Sequence, residues 1–131
     1  MKPCAFDYEG NMLKPDHPKA RIVCASICWR GKKTIAFPWQ GEAVKAFKEF
    51  LRSRRVTKRG TNIKHEERWS KSLLGTWVKG WELCTLINAH VEDNREGVNG
   101  LTFQAVARLG FPPWDQHVSQ YMTSKGGNLF N

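Results

Sequence analysis

The sequence predicts an α+β (α/β) fold: a mixed sheet that begins with a three-stranded antiparallel meander, with helices packed on it. Two observations carry this. β-forming runs separated by turn residues fill the first 38 positions, and from Gly41 onward apolar residues recur at helical spacing instead. The first strand is Cys4-Ala5-Phe6-Asp7-Tyr8-Glu9, closed by Gly10. A loop with Pro15 and Pro18 leads to Arg21–Trp29, an almost continuously apolar run of the kind expected for a strand covered on both faces. Gly31-Lys32-Lys33 is a turn, and Thr34–Phe37 returns as the third strand, ended by Pro38.

Val44, Phe47 and Leu51 then mark one face of a helix, with Lys45, Lys48, Glu49 and Arg52 on the other. A short fourth strand is expected within Arg55–Thr61. A second helix is predicted over Lys64–Leu74, burying Trp69, Leu73 and Leu74 and stopped by Gly75. A third is predicted over Cys84–Val91, with Leu83, Leu86, Ile87 and Val91 inward. Leu101, Ala105, Val106 and Leu109 outline a fourth, closed by Gly110 and Pro112-Pro113.

At 131 residues, with 40% hydrophobic and 25% charged residues, the chain is expected to form one globular domain. No apolar run reaches the ~20 residues of a membrane span, and the start lacks signal-peptide order, so a cytoplasmic location is expected. Cys4, Cys24, Cys28 and Cys84 lie among apolar neighbours without zinc-knuckle spacing and read as reduced core residues. The 21 Lys+Arg against 12 Asp+Glu give a net charge of +9, with a dense run from Lys45 to Lys64. Such a balance favours a polyanionic partner, nucleic acid first. Of the six tryptophans, Trp39, between Pro38 and Gln40, reads as the one placed to stack on a base, and the rest as core.

Asp7 and Glu9 carry the chemistry. In a strand, side chains two apart share a face, so the two carboxylates crowd one another and repel unless a cation lies between them. Hard divalent ions such as Mg²⁺ or Mn²⁺ prefer these oxygens. Glu66 and Glu67 fall in the first turn of the second helix, where negative charge also complements the helix dipole.

Phe6-Asp7-Tyr8-Glu9 with Leu13-Lys14-Pro15, then Asn62-Ile63-Lys64-His65-Glu66-Glu67-Arg68-Trp69, Thr85-Leu86 with Ala89-His90-Val91 and Asp93, and Gly100-Leu101 with Ala105 carry a family likeness. In that order the chain resembles the 3′–5′ proofreading exonuclease domain of family A (DNA polymerase I-type) enzymes in its phage-like version. That domain belongs to the DEDD group of the ribonuclease H-like fold. The resemblance implies a metal-dependent hydrolase acting on nucleic acid, single-stranded DNA 3′ ends ahead of RNA, with two Mg²⁺ or Mn²⁺ ions, in a bacterial or phage-infected cell. Asp7, Glu9 and Glu66 match the catalytic and metal-binding carboxylates. Gly10, Leu13 and Asn62 match substrate-binding positions, Leu13 as a wedge against the terminal bases and Asn62 as the residue orienting the second-motif turn.

The sequence also departs from the family pattern. Gly10 stands where threonine is usual, His65 where an aromatic is usual, Glu66 in place of Asp, and Cys84 where relatives carry Asp. The third motif, Tyr-x-x-x-Asp, has no match after Asp115, since Tyr121 is followed by Lys125 at the acidic position. The resemblance therefore implies a single exonuclease-like domain ending before its last catalytic helix. Three classes of function follow. One is a nuclease whose fourth carboxylate comes from a polymerase or other second chain, or from Asp93 or Asp115. Another is a catalytically weak nucleic-acid-binding remnant, and the last an interaction protein that kept the fold.

Overall fold

The strand that begins the chain becomes the centre of its sheet. In the computed structural model, which describes residues 3–114 and 116, β1 (Cys4–Gly10) is flanked by β2 (Ile22–Trp29) and β3 (Ile35–Pro38) on one side. Both pairings are antiparallel, so the predicted meander is present. On the other side lie β4 (Lys58–Gly60) and β5 (Trp81–Cys84), giving the order β3-β2-β1-β4-β5. β4 runs parallel to β1, which requires a crossover, and α1 (Gly41–Arg52) lies within that connection. Pro38 is tolerated because β3 is an edge strand, where a missing N–H donor breaks no ladder.

The chain divides into two compact units, Met1–Cys84 and Thr85–Asn131. The first contains the whole sheet with α1 and α2 (Ile63–Leu74); the second contains α3 (Thr85–Glu92) and α4 (Leu101–Leu109). Charge is divided just as unevenly. The first unit holds 18 Lys+Arg against 8 Asp+Glu, and the second holds 3 against 4.

Strict alternation along β1 sets the core. Cys4, Phe6 and Tyr8 are buried, whereas Ala5, Asp7 and Glu9 are exposed. Phe6 packs edge-on against Phe47 and Phe50 of α1 and stacks on Trp81 at 5.2 Å between ring centres. A buried aromatic of this kind contributes about 3 kcal/mol or more. The Tyr8 hydroxyl, buried beneath the sheet, pairs with Ser70 Oγ of α2 at 3.0 Å, so burial of its ring leaves no polar group stranded.

Several expectations are corrected. β2 is not covered on both faces: Ile22, Ala25 and Ile27 are buried, but Cys24, Ser26 and Cys28 are only half-buried and Val23 is exposed. Leu73 lies on the rim of α2 rather than in the core, which Trp69, Ser70, Leu74 and Glu66 fill. Trp81–Cys84 forms a fifth strand that was not expected, and the helix expected from Cys84 begins one residue later, at Thr85; four residues are too few to reveal a period of 2. In α3 the inward residue is Ala89, while Ile87 and Val91 are exposed. Stop signals were read correctly, with Gly75 and Gly110 both left-handed C-caps.

Candidate active site

β4 accompanies β1 only at Cys4 and Ala5, whose partners are Lys58 and Arg59. Beyond that point α2 meets β1, and three of its residues reach positions 7, 8 and 10. Ser70 bonds Tyr8, the Trp69 indole lies against Gly10, and Glu66 reaches Asp7. α2 starts at Asn62, whose backbone is left-handed (φ 54°), a conformation that asparagine tolerates better than most residues. The Asn62 carbonyl accepts from His65 N at 2.8 Å, and its side chain makes no capping bond, so the turn is held through the backbone.

Two adjacent glutamates do different work. Glu67 accepts from Trp81 Nε1 at 2.8 Å and from Val78 N at 3.2 Å, tying α2 to the approach to β5. Glu66 is 2% exposed, and its carboxyl lies within hydrogen-bonding reach of the Asp7 carboxyl. Burial pushes Glu66 up to about 8, its own backbone N–H opposes this, and the charge and hydrogen bond of Asp7 add to the rise. Glu66 Oε2 is buried without a hydrogen-bond partner. A buried, unpartnered carboxylate oxygen beside a second carboxyl is costly unless a proton or cation sits there. An oxygen-only pair of this kind fits a hard divalent ion.

Glu9 shares the exposed face of β1 with Asp7, and burial followed by the Asp7 charge raises its pKa. Among the described residues, no group of three or more His, Cys, Asp and Glu side chains is gathered closely enough to hold a metal ion. The structure thus brings together Asp7 and Glu66 and keeps Glu9 near Asp7 without closing the trio. His65 is half-buried, 5.9 Å from Trp69 between ring centres; burial lowers its pKa, with the Asp7 charge opposing.

Leu13 stands 61% exposed in the loop after β1. Asn11 closes that loop, donating to Lys19 O and accepting from Arg21 N, both at 2.9 Å. Asp16 then fastens it to α2 through Arg68 at 2.8 Å and Ser72 at 3.0 Å. Gly10 offers no side chain, and a β-carbon there would strike Trp69. Asp93 is held by Arg95 at 2.6 Å, whose hydrogen bond draws its carboxyl down to about 2. Asp115, Tyr121 and Lys125 lie outside the described residues.

The tryptophan reading changes too. Trp39 packs edge-on against Tyr8 and Phe47 at the core margin, whereas Trp77 and Trp114 are about half exposed and Trp29 lines an open hollow. Sequence neighbours did not reveal this, because exposure at a strand end depends on where the partner strand stops.

Similarity to solved structures decides the fold. The Brucella melitensis protein NrnC bound to pGG superposes with a TM-score of 0.74 at 18% identity, over 99% of this chain and 63% of that one. A form with bound Mg²⁺ gives 0.67 at 14% identity, over 98% and 62%. Trypanosoma brucei RNase D in complex with GMP gives 0.71 at 18%, over 92% and 40%. The fold is ribonuclease H-like. The polymerase domain of Pol1 from M. smegmatis, with DNA primer-template and dNTP, also matches, at a TM-score of 0.69 and 14% identity over 83% of this chain and 19% of that one. The chain spans less than two thirds of the length of each of these structures. No protein-family model matches the sequence, and no curated protein matches it.

Proposed function

We propose that this chain is the catalytic portion of a metal-dependent 3′–5′ exonuclease that removes nucleotides from single-stranded 3′ ends, DNA in the first instance. The observation that carries the reading is the convergence of Asp7 with the buried, unpartnered oxygen of Glu66. Asp7 and Glu66 would hold Mg²⁺ or Mn²⁺, with Glu9 joining them when the ion draws the carboxylates together. Bound there, divalent ions supply an activated water and charge stabilisation for the leaving 3′ oxygen. The chain's own part is to place the terminal nucleotide: Leu13 presents an apolar edge to the last bases, Asn62 shapes the turn that aims Glu66, and Gly10, seated against Trp69, fixes where the end of β1 meets the 3′ nucleotide.

Solved structures of the same fold with pGG, GMP, Mg²⁺ and DNA primer-template support a nucleic-acid partner and a divalent ion. The basic first unit suits the same partner. No helix among the described residues is long and apolar enough to cross a membrane. A fourth carboxylate would come from a second chain, such as a polymerase, or from Asp93 or Asp115.

One observation favours a second reading. Because no trio of ligands is closed among the described residues, the chain also fits a nucleic-acid-binding remnant with weak or lost chemistry. An assay on 5′-labelled single-stranded DNA and RNA with Mg²⁺ or Mn²⁺ separates the two. The exonuclease reading expects a ladder of 3′-shortened products from DNA, abolished in Asp7→Ala although that variant stays folded. Binding without shortening gives the remnant; shortening that survives Asp7→Ala refutes the site.

A further inference from the structure

The sheet carries its carboxylates at one end of β1, and a different chemistry gathers at the other. Cys4, at the start of β1, pairs with Trp29, the last residue of β2. Beyond Trp29 the chain turns through Gly31 (φ +74°), with Lys32 N donating to Trp29 O at 2.8 Å, and re-enters the sheet at Ile35. Trp29, Lys32, Lys33 and Ile35 line an open hollow of about 580 Å³. Trp29 rests against Phe50 and remains half-buried, while Lys32 and Lys33 are exposed and Ile35 is 54% exposed.

More positive charge converges on the same end. Thr57 O accepts from Cys4 N, which brings the loop after α1, with exposed Arg54 and Arg55, to the start of β1, and Arg30 N donates to Pro3 O. None of Arg30, Lys32, Lys33, Arg54 and Arg55 joins an ion pair among the described residues. A half-buried indole that lines an open hollow and is bordered by two unpaired lysines has the composition that binds one base by stacking and its flanking phosphates by charge. Trp29 aligns with Cys4, three residues from Asp7 and on the alternate side of the pleat. About 10 Å of strand therefore separates the two places, and a single nucleotide cannot occupy both.

We propose that the β2–β3 hairpin end is a second contact for single-stranded nucleic acid, in which one base stacks on Trp29 while Lys32 and Lys33 neutralise neighbouring phosphates. The proposal rests on the reading of the chain as a nucleic-acid binder, though not on its catalysis. The hairpin end holds the strand away from the 3′ end, so its contribution depends on strand length.

The test is fluorescence anisotropy of the full chain with 5′-labelled oligothymidylates of about 4 and about 20 nucleotides, spanning the usual range of single-strand site sizes. Lys32→Glu with Lys33→Glu is expected to weaken the long strand tenfold or more and the short strand little. It should also flatten the salt dependence of log K by about 1.4, at ~0.7 per phosphate contact. Trp29→Leu should weaken the long strand selectively without the change in salt slope. Equal weakening of long and short strands, or none, overturns the proposal. So does binding of phosphatidylserine vesicles that the lysine pair alone controls, with oligonucleotide affinity unchanged. Repeating the titration in Asp7→Ala separates this inference from the exonuclease reading, since length-dependent binding persists there whether or not the chain cleaves.

Discussion

A β-carbon placed on Gly10 would lie 2.5 Å from Cη2 and 2.6 Å from Cζ2 of Trp69, a side chain that is itself fully buried. The indole cannot withdraw without disturbing α2, so the absence of a side chain at position 10 is the condition for α2 to seat against β1. The threonine that the family pattern places here is incompatible with tryptophan at 69. Gly10→Ala is expected to lose roughly 1–3 kcal/mol, as overpacking usually does, read as a lower midpoint in urea unfolding. In a double-mutant cycle with Trp69→Phe, much of that loss should disappear. Additive losses would show that the contact is not what excludes the methyl group.

The Asp7–Glu66 pair gives the apo protein a characteristic pH response. The folded-state pKa of Glu66, about 8, lies above its ordinary value of 4.5, so protonation favours the folded state. The stability it contributes is whole below the ordinary value and is lost as pH rises through about 8. In chelator, the melting temperature should therefore fall between about pH 5 and pH 8, and Glu66→Gln should flatten that fall. Mg²⁺ or Mn²⁺ should restore stability at the alkaline end by replacing the missing proton with a cation. A wild-type melting temperature independent of pH and of divalent ion would refute the electrostatic coupling.

What could be read in advance follows from the range over which each signal acts. Alternation in β1 and the i, i+2 placement of Asp7 and Glu9 are local, and the sheet preserves both. The glycine stops at positions 75 and 110 are local as well. Glu66 was legible only through the family likeness, because its burial depends on β4 ending early and leaving the edge of β1 to α2. The exposed Ile87 and Val91 and the open hollow at Trp29 reflect where neighbouring elements stop, which no window of adjacent residues encodes. The dense basic run from Lys45 to Lys64 likewise concealed one lysine of another kind, Lys58.

Lys58 is fully buried and donates from Nζ to Ser53 O and Lys79 O at 2.7 Å and to Val56 O at 3.1 Å, with the ammonium 4.7 Å from the Phe50 ring centre. Its three donors are thus all satisfied by backbone carbonyls, tying the end of α1 and the approach to β4 to the approach to β5. Burial lowers its pKa. Lys58→Met should cost about 3 kcal/mol, because the carbonyls lose their donor without regaining water. Lys58→Arg should also destabilise, since a planar guanidinium does not reproduce three converging bonds. Chemical denaturation of both variants provides the check, and a methionine variant as stable as the parent would refute the role.

Asp16 connects the loop that carries Leu13 to the helix that carries Glu66, through Arg68 and Ser72. All three side chains are solvent-accessible, so the ties are worth little to global stability. Under the proposed function their value lies in position. A wedge on an unfastened loop samples many orientations, and each lost alignment lowers the fraction of encounters that place the terminal phosphate correctly. Asp16→Ala should leave the melting temperature nearly unchanged while raising KM for a single-stranded 3′ end several-fold, and Leu13→Ala should do the same. Combining the two should give little beyond the larger single effect, because both act through the same wedge. If the effects multiply instead, Asp16 and Leu13 act separately and the loop is not held for the sake of its leucine.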